Sequence, residues 1–544
     1  MKRHSVTMAA GTVGLALLLL LPVQGCTDLT ETPPSLISST NFFHNEAEVL
    51  AGLAGVYAQL RTTAPEGGIY DANEVSSDEI VVPIRGPDWN DNGQWIDLHN
   101  QTWTPTSAAT LNFFNGAWNS AYTGVARANL FLASVENSTV PIPNKAAIIG
   151  EVRTLRAFYY YVLMDMFGGV PIVTSTEVAL RPRNTRREVF DFIESELIAA
   201  RDSGLPDTRP NADNGRITQG AADAILASLY VNAGVFTKDG AGAGGINASG
   251  YNSCSGVLVS GGVDACAAAI AAADRILNSG NYSLADSFPQ NFRFDNQKSP
   301  ENIFVVKFIN ADGLGIGIAM AALHYCQYSA GPWNGFATLA QTFNAFDPAD
   351  KRRQAILFGP QRDVLTGQLV TVRVNKACPA TYTPANALVF TDSIRDIRDA
   401  SEGEGPRIYK WPADPNHVAQ NSGNDYAWFR LGEIYLIKAE AEHASGLDGP
   451  ALTDLNAVRN RTDPVAPALG AVTDSVVLSE RLFELFGEGK RRQDLIRFGR
   501  YTGRTDAPSG LTGGKVASAD YYVLFPIPQT QIDANPNLTQ NPGY

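Results

Sequence analysis

The stretch Arg85-Gly86-Pro87-Asp88-Trp89-Asn90-Asp91-Asn92-Gly93-Gln94-Trp95 sets two indole rings among carboxylates, carboxamides and a guanidinium. Residues this polar are rarely interior. Indole faces stack on the C–H groups of sugars while Asp, Asn and Arg side chains take the hydroxyls. Arg85, Asp88, Trp89, Asp91 and Trp95 are therefore candidate ligand-binding residues; the rival reading is that the two aromatics pin a long loop to the scaffold. The spacing Asp88-x-Asn90-x-Asn92-Gly93 also matches the first half of a calcium loop, with oxygen ligands at alternate positions and glycine at the sharp turn. Its twelfth position is His99, a poor ligand for a hard cation, so a turn-rich loop is the alternative. Apart from this weak calcium half-match the sequence suggests no cofactor.

A second patch combines His324-Tyr325-Cys326-Gln327-Tyr328 with Gly331-Pro332-Trp333-Asn334-Gly335. Tyr325, Tyr328 and Trp333 are candidate stacking residues there, with core packing as an equal rival. Trp118 sits in a helical pattern with Phe113, Phe114 and Tyr122 and is assigned to the core. Catalytic signatures are missing: no Gly-x-Ser-x-Gly elbow and no His-Glu-x-x-His occurs. Gly240 to Gly245 satisfies G-x-G-x-x-G but follows a helix, not the strand a dinucleotide site needs. Gly510 to Lys515 lacks the Ser/Thr of a phosphate loop, because Val516 follows. No catalytic residue is assigned, and a non-enzyme is expected. A surface glycoside hydrolase stays as the alternative, since the 55 acidic residues always permit a carboxylate pair.

These residues need elements to hold them. Lys2-Arg3-His4, the apolar run Val13 to Leu21 and the small Gly25 before Cys26 describe a signal peptide. Gly25-Cys26 is similar to a bacterial lipobox, so Cys26 is the expected lipidation site and the chain is expected to be membrane-anchored. With 42 Lys and Arg against 55 Asp and Glu, net charge −13, the surface repels nucleic acid. Beyond Cys26 stand Cys254, Cys266, Cys326 and Cys378. In an exported chain they suggest disulfides; of three pairings, Cys254–Cys266 with Cys326–Cys378 closes the shortest loops, and free thiols are the alternative.

Apolar residues at Ile148, Val152, Leu155, Tyr159, Val162 and Met166 mark one helix face, stopped by Gly168-Gly169 and Pro171. Similar helices are predicted over 46–61, 108–136, 187–202, 218–236, 427–443, 451–459 and 479–498. Small residues, as in Gly220 to Ala227, allow close helix pairing. The charged run Glu488 to Arg500 reads as a solvated helix face. Between about 237 and 426, Gly, Pro, Asn and Asp dominate, with short apolar runs such as Ile303 to Val306 and Leu369 to Val372. The expected fold is mainly α: a tetratricopeptide-like scaffold of helical pairs with an irregular, loop-rich ligand-binding face and a few short strands. Its expected parts are a signal peptide (1–25), a lipidated tether (26–45), a helical part (46–236), a loop-rich ligand-binding part (237–426) and a C-terminal helical part (427–544).

Four segments carry a resemblance over nearly the whole chain beyond the signal peptide. They are Glu151 to Tyr160 with Phe167 to Pro171, Gly215 to Ala222, Phe429 to Leu436 with Ala439 to Glu442, and Glu480 to Leu495 with the terminal Pro526 to Tyr544. In this order, behind a lipobox, the sequence resembles the RagB/SusD family of outer-membrane nutrient-uptake lipoproteins. The resemblance implies a lipoprotein on the outer membrane, facing the cell exterior, that binds a nutrient such as a glycan. It also implies a partner, a SusC-like TonB-dependent barrel that receives the nutrient.

Overall fold

A computed structural model describes residues 45–544, apart from 66, 139, 140 and 243. The signal peptide, Cys26 and all but the last residue of the tether lie outside the described residues. The helices that build the scaffold are α1 (Glu46–Ala58), α2 (Gly68–Val75), α3 (Gln94–Asn100), α4 (Asn115–Glu136), α5 (Lys145–Phe167), α6 (Arg186–Asp202), α7 (Gln219–Val231), α8 (Ala265–Leu277), α9 (Leu431–Ala444), α10 (Asp448–Arg459), α11 (Asp474–Leu485) and α12 (Arg491–Arg497). Each from α4 to α7 packs on the next, then α7 on α8, α8 on α9, and α9 on both α10 and α11. This is a mainly helical, tetratricopeptide-like fold.

Local chemistry explains the borders. Thr185 caps α6 with a reciprocal bond to Glu188, and the Thr218 and Thr473 hydroxyls cap α7 and α11. Gly168, at φ +76°, ends α5 in a backbone conformation that suits glycine. Small residues fix helix spacing: a methyl on Gly124 would sit 2.5 Å from the Tyr159 ring, so α4 can approach α5 only with glycine there. Along α8 the alanines Ala265, Ala269, Ala272 and Ala273 are buried.

Several helices differ from expectation; α2 and α3 lie in stretches where none was predicted. α8 is a full scaffold helix inside the segment read as irregular. Residues 427–430 are not helical but belong to strand β2 (Tyr426–Arg430), antiparallel to β1 (Asn302–Val306), where the apolar run was expected to form a strand. The helix read over 479–498 is split at 486–490, where Gly487 and Gly489 take φ of +74° and +75°.

The largest correction concerns the charged run. Glu488 to Arg497 is buried, not solvated. The Arg430 guanidinium donates to Glu488 (2.8 Å), Glu484 (2.7 Å) and Glu301 (3.2 Å). Arg352 donates to Glu480 (2.6 Å), Asp350 (2.7 Å) and Glu484 (3.2 Å), and Arg461 bridges Glu301 and Glu484. Arg497 clamps Glu440 and Asp494. Charges can occupy an interior only when paired and hydrogen-bonded in this way.

The network gives stability a pH dependence. Burial alone would raise the Glu484 and Asp506 carboxyls, but neighbouring cations overcome it. Asp506, 2.7 Å from His99, is held at about 2. Groups depressed in the folded state contribute stability that is complete above their unfolded range near pH 4 and is lost as pH falls below it. Burial pushes Asp71 up to about 8 and Glu74 to about 7, so these two cost stability progressively as pH rises from about 4 to that range. The thermal midpoint, scanned from about pH 2 to 9, should peak in the mildly acidic range and fall on either side of it. A midpoint that keeps rising toward pH 9 would contradict this assignment.

Candidate functional site

The segment after Arg85 is a tight turn: the backbone N–H groups of Arg85 and Asp88 bond to each other's carbonyls at 3.0 and 3.1 Å. It delivers Trp89 with φ +67°, a left-handed conformation unusual for a bulky residue, and Asp91 and Asn92 also have positive φ. Such strain costs of order 1–3 kcal/mol and persists where surroundings over-determine it, often at functional sites. The surroundings are visible. The Trp89 ring lies on Gly335, where a methyl would come within 2.2 Å of it, and its Nε1 donates to the Trp333 carbonyl at 2.8 Å. The two candidate patches therefore meet, and Trp89 and Trp333 each remain partly exposed.

Beside them Tyr325 donates its hydroxyl to Asp88 at 2.5 Å, and the Arg373 guanidinium lies 3.2 Å above the Tyr325 ring centre. Arg373 donates to Asp88 (3.1 Å) and to Glu402 (2.7 Å), and Glu402 also contacts His324 at 3.0 Å. Burial would raise Glu402, yet the hydrogen bonds from His324 and Arg373 bring it down to about 2, so it stays a carboxylate. The result is a set of partly exposed aromatics, Trp89, Tyr325 and Trp333, with fixed donors and acceptors beside them. Arg373 lies over one face of Tyr325, and Trp333 packs against a buried cluster that includes Met320 and Tyr328.

Three candidates have another role. Trp95 was expected on an exposed loop; it is 7% exposed, packed against Phe113 and Phe336, with Nε1 donating to Asp91 at 2.8 Å. That bond satisfies its one polar atom and lets the indole enter the core from a polar stretch. Tyr328 is 2% exposed and donates to the Asp414 carbonyl at 2.8 Å. Arg85 is buried, its guanidinium donating to the carbonyls of Ser401 and Glu404. Arg407 joins it, donating to the carbonyls of Glu402, Glu404 and Gly405 and to Asn334. Together the two guanidiniums fold the 401–405 loop around themselves and so aim Glu402 at Arg373.

In the calcium-type spacing, Asp88 is engaged by Tyr325 and Arg373, while His99 is buried against Asp506. Among the described residues, no group of three or more His, Cys, Asp or Glu is placed to hold a metal. Cys254 is joined to Cys266 and Cys326 to Cys378. The second bridge ties the Tyr325 loop to the Arg373 segment. Arg373, Glu402 and Arg407 were not singled out in the sequence; Arg373 alone had a signal, lying five residues before Cys378.

The profile of the SusD family matches residues 276–544, and a second profile, described as starch-binding associating with outer membrane, matches residues 50–231. The chain belongs to the SusD/RagB family. A SusD/RagB relative, the starch-binding protein SusD of Bacteroides thetaiotaomicron, is 26% identical over 525 residues, covering 88% of this chain and 86% of its own. Among solved SusD-like structures, a laminarin-binding protein superposes with a TM-score of 0.69 at 22% identity, over 92% of this chain and all of that one. Surface glycan-binding protein A of Bacteroides thetaiotaomicron, in complex with laminarihexaose, gives 0.68 at 20% identity, over 91% and 99%. No helix among the described residues is long and apolar enough to cross a membrane.

Proposed function

We propose that this SusD-like protein is a lipid-anchored receptor on the outer cell surface that holds a glycan on Trp89, Tyr325 and Trp333 and passes it to a SusC-like TonB-dependent transporter. The observation that carries the reading is the convergence of two remote segments, through the Trp89–Trp333 bond, which gathers partly exposed aromatics beside Asp88, Arg373 and Glu402. Sugar rings stack their C–H faces on such aromatics, and the neighbouring polar groups take the hydroxyls. Starch-, laminarin- and glycan-binding descriptions among the relatives support the ligand class. Anchoring through Cys26 rests on the lipobox, and the transporter partnership on the family. Binding of this kind needs neither a cofactor nor a catalytic residue.

Calorimetric titration of the purified protein with maltohexaose and laminarihexaose tests the ligand class. Co-purification of the protein with a large outer-membrane barrel tests the partnership. Saturable binding of at least one hexasaccharide is expected, without cleavage; release of shorter sugars would instead favour a hydrolase. Gly335→Ala provides a sharper check, because its methyl must displace the Trp89 ring from its seat. It should weaken binding about tenfold, within the range of a lost aromatic contact, while near-ultraviolet circular dichroism reports the moved indole. Unchanged affinity with a displaced indole would remove Trp89 from the site.

A further inference from the structure

Away from the platform, α6, α7 and α8 border a groove of about 670 Å³, a size that suits a small ligand. A neighbouring cavity of about 240 Å³ shares Asp207, Asn281 and Tyr282 with it. The groove walls are polar, and their charges are mutually committed. Arg201 contacts Asp202 at 2.8 Å and Asp223 at 3.4 Å, while Arg275 grips Asp223 at 2.6 Å. With Asp207 also on the wall, carboxylates outnumber guanidiniums, which disfavours an anionic ligand. Few apolar groups line it, which disfavours a lipid.

Tyr282 offers the aromatic surface. Its ring is partly exposed, and its hydroxyl meets the Thr218 hydroxyl at 3.1 Å. Gly220 makes room for it: a methyl there would lie 2.5 Å from the Tyr282 oxygen. A held tyrosine face, carboxamides from Gln219 and Asn281, and guanidiniums already engaged by carboxylates are what an uncharged, hydroxyl-rich ligand needs. We propose that this groove is a second saccharide site, independent of the platform, for short neutral oligosaccharides. The choice of a saccharide rests on the function proposed above; the polarity of the groove does not.

The test titrates maltohexaose and laminarihexaose into four proteins: the parent, Trp89→Ala/Trp333→Ala, and that double variant with either Asn281→Trp or Tyr282→Ala added. Asn281 is exposed, so the added indole fills the groove without disturbing the core. Tyr282→Ala loses a hydrogen bond, so its thermal midpoint is read alongside; if it fails to fold, Asn281→Trp alone decides the outcome. The expected result is residual saturable binding in the double variant that falls about tenfold or more when the groove is altered. Complete loss of binding in the double variant overturns the groove, as does residual binding indifferent to both groove changes. Binding unaffected by the platform changes but abolished by Asn281→Trp overturns the platform and keeps the groove. A parent that binds neither hexasaccharide counts against both.

Discussion

Glu484→Ala should cost about 3–5 kcal/mol of unfolding free energy, read from guanidinium denaturation against the parent. The Glu484 carboxylate accepts from Arg352, Arg430 and Arg461, all three of them buried. Removing it leaves those guanidiniums with Asp350, Glu480, Glu301 and Glu488. Two of these four acids are already shared, Glu488 with Lys410 and Glu480 with Arg459, so five cations face four carboxylates. Taking one partner from a buried network is costly because the others stay desolvated. Asp463→Ala is the matching control: its pair with Lys351 is half exposed, and such pairs contribute about 0–1 kcal/mol. If both variants lose the same small amount, the interior network is not what holds the C-terminal helices to the strand pair.

Trp89→Ala and Trp333→Ala should each weaken binding of a hexasaccharide by about 1–3 kcal/mol, by analogy with stacking on nucleobases, and the double variant should lose platform binding altogether. The contrast with Trp95→Ala gives the prediction its edge. Trp95 is interior, so truncating it should act on stability, by about 3–5 kcal/mol, more than on affinity in the folded protein. If Trp95→Ala abolishes binding in a protein that melts like the parent, the roles of the two indoles are reversed. If Trp89→Ala and Trp333→Ala bind like the parent, the glycan sits elsewhere.

Much of the scaffold was legible because amphipathic helices announce themselves locally. The face from Ile148 to Met166 and the stop at Gly168 are short-range signals, and that helix stands where they point. The small strand at Ile303 to Val306 was equally plain, but its partner was not: Tyr426 to Arg430 runs into a helix, and only pairing with β1 makes it a strand. α8 was hidden by its glycine-rich surroundings. The charged run misled for a stronger reason. Arg and Glu on a helix ordinarily mean water, and the acids that neutralise Arg491 and Arg492 are Asp78 and Asp165, hundreds of positions away.

The same distinction divides the site. Trp89 and Trp333 stood out as aromatics in polar loops, yet nothing local separated Trp89 from Trp95. What separates them lies elsewhere in the chain: Phe113 and Phe336 enclose Trp95, while Gly335 seats Trp89. Glu402 and Arg407 carried no signal, since their part is to position Arg373 through a loop built on backbone carbonyls.

The long span of the buried ion pairs also bears on how the chain is made. Synthesis runs from the amino end, and early parts of a protein usually fold first. Here Glu74, Asp78, Glu79 and Asp165 emerge early, but the groups that receive them, the Gly487 and Gly489 amides and the Arg491 and Arg492 guanidiniums, come near the end. Without those last residues, Asp78 and Asp165 lose their arginines, and the Glu74 and Glu79 carboxyls lose the amides that bond them. The amino-terminal helices and the segment from Gly487 to Tyr544 are thus halves of one interior, and a chain cut short before Gly487 would lack the partners of its own first buried carboxylates.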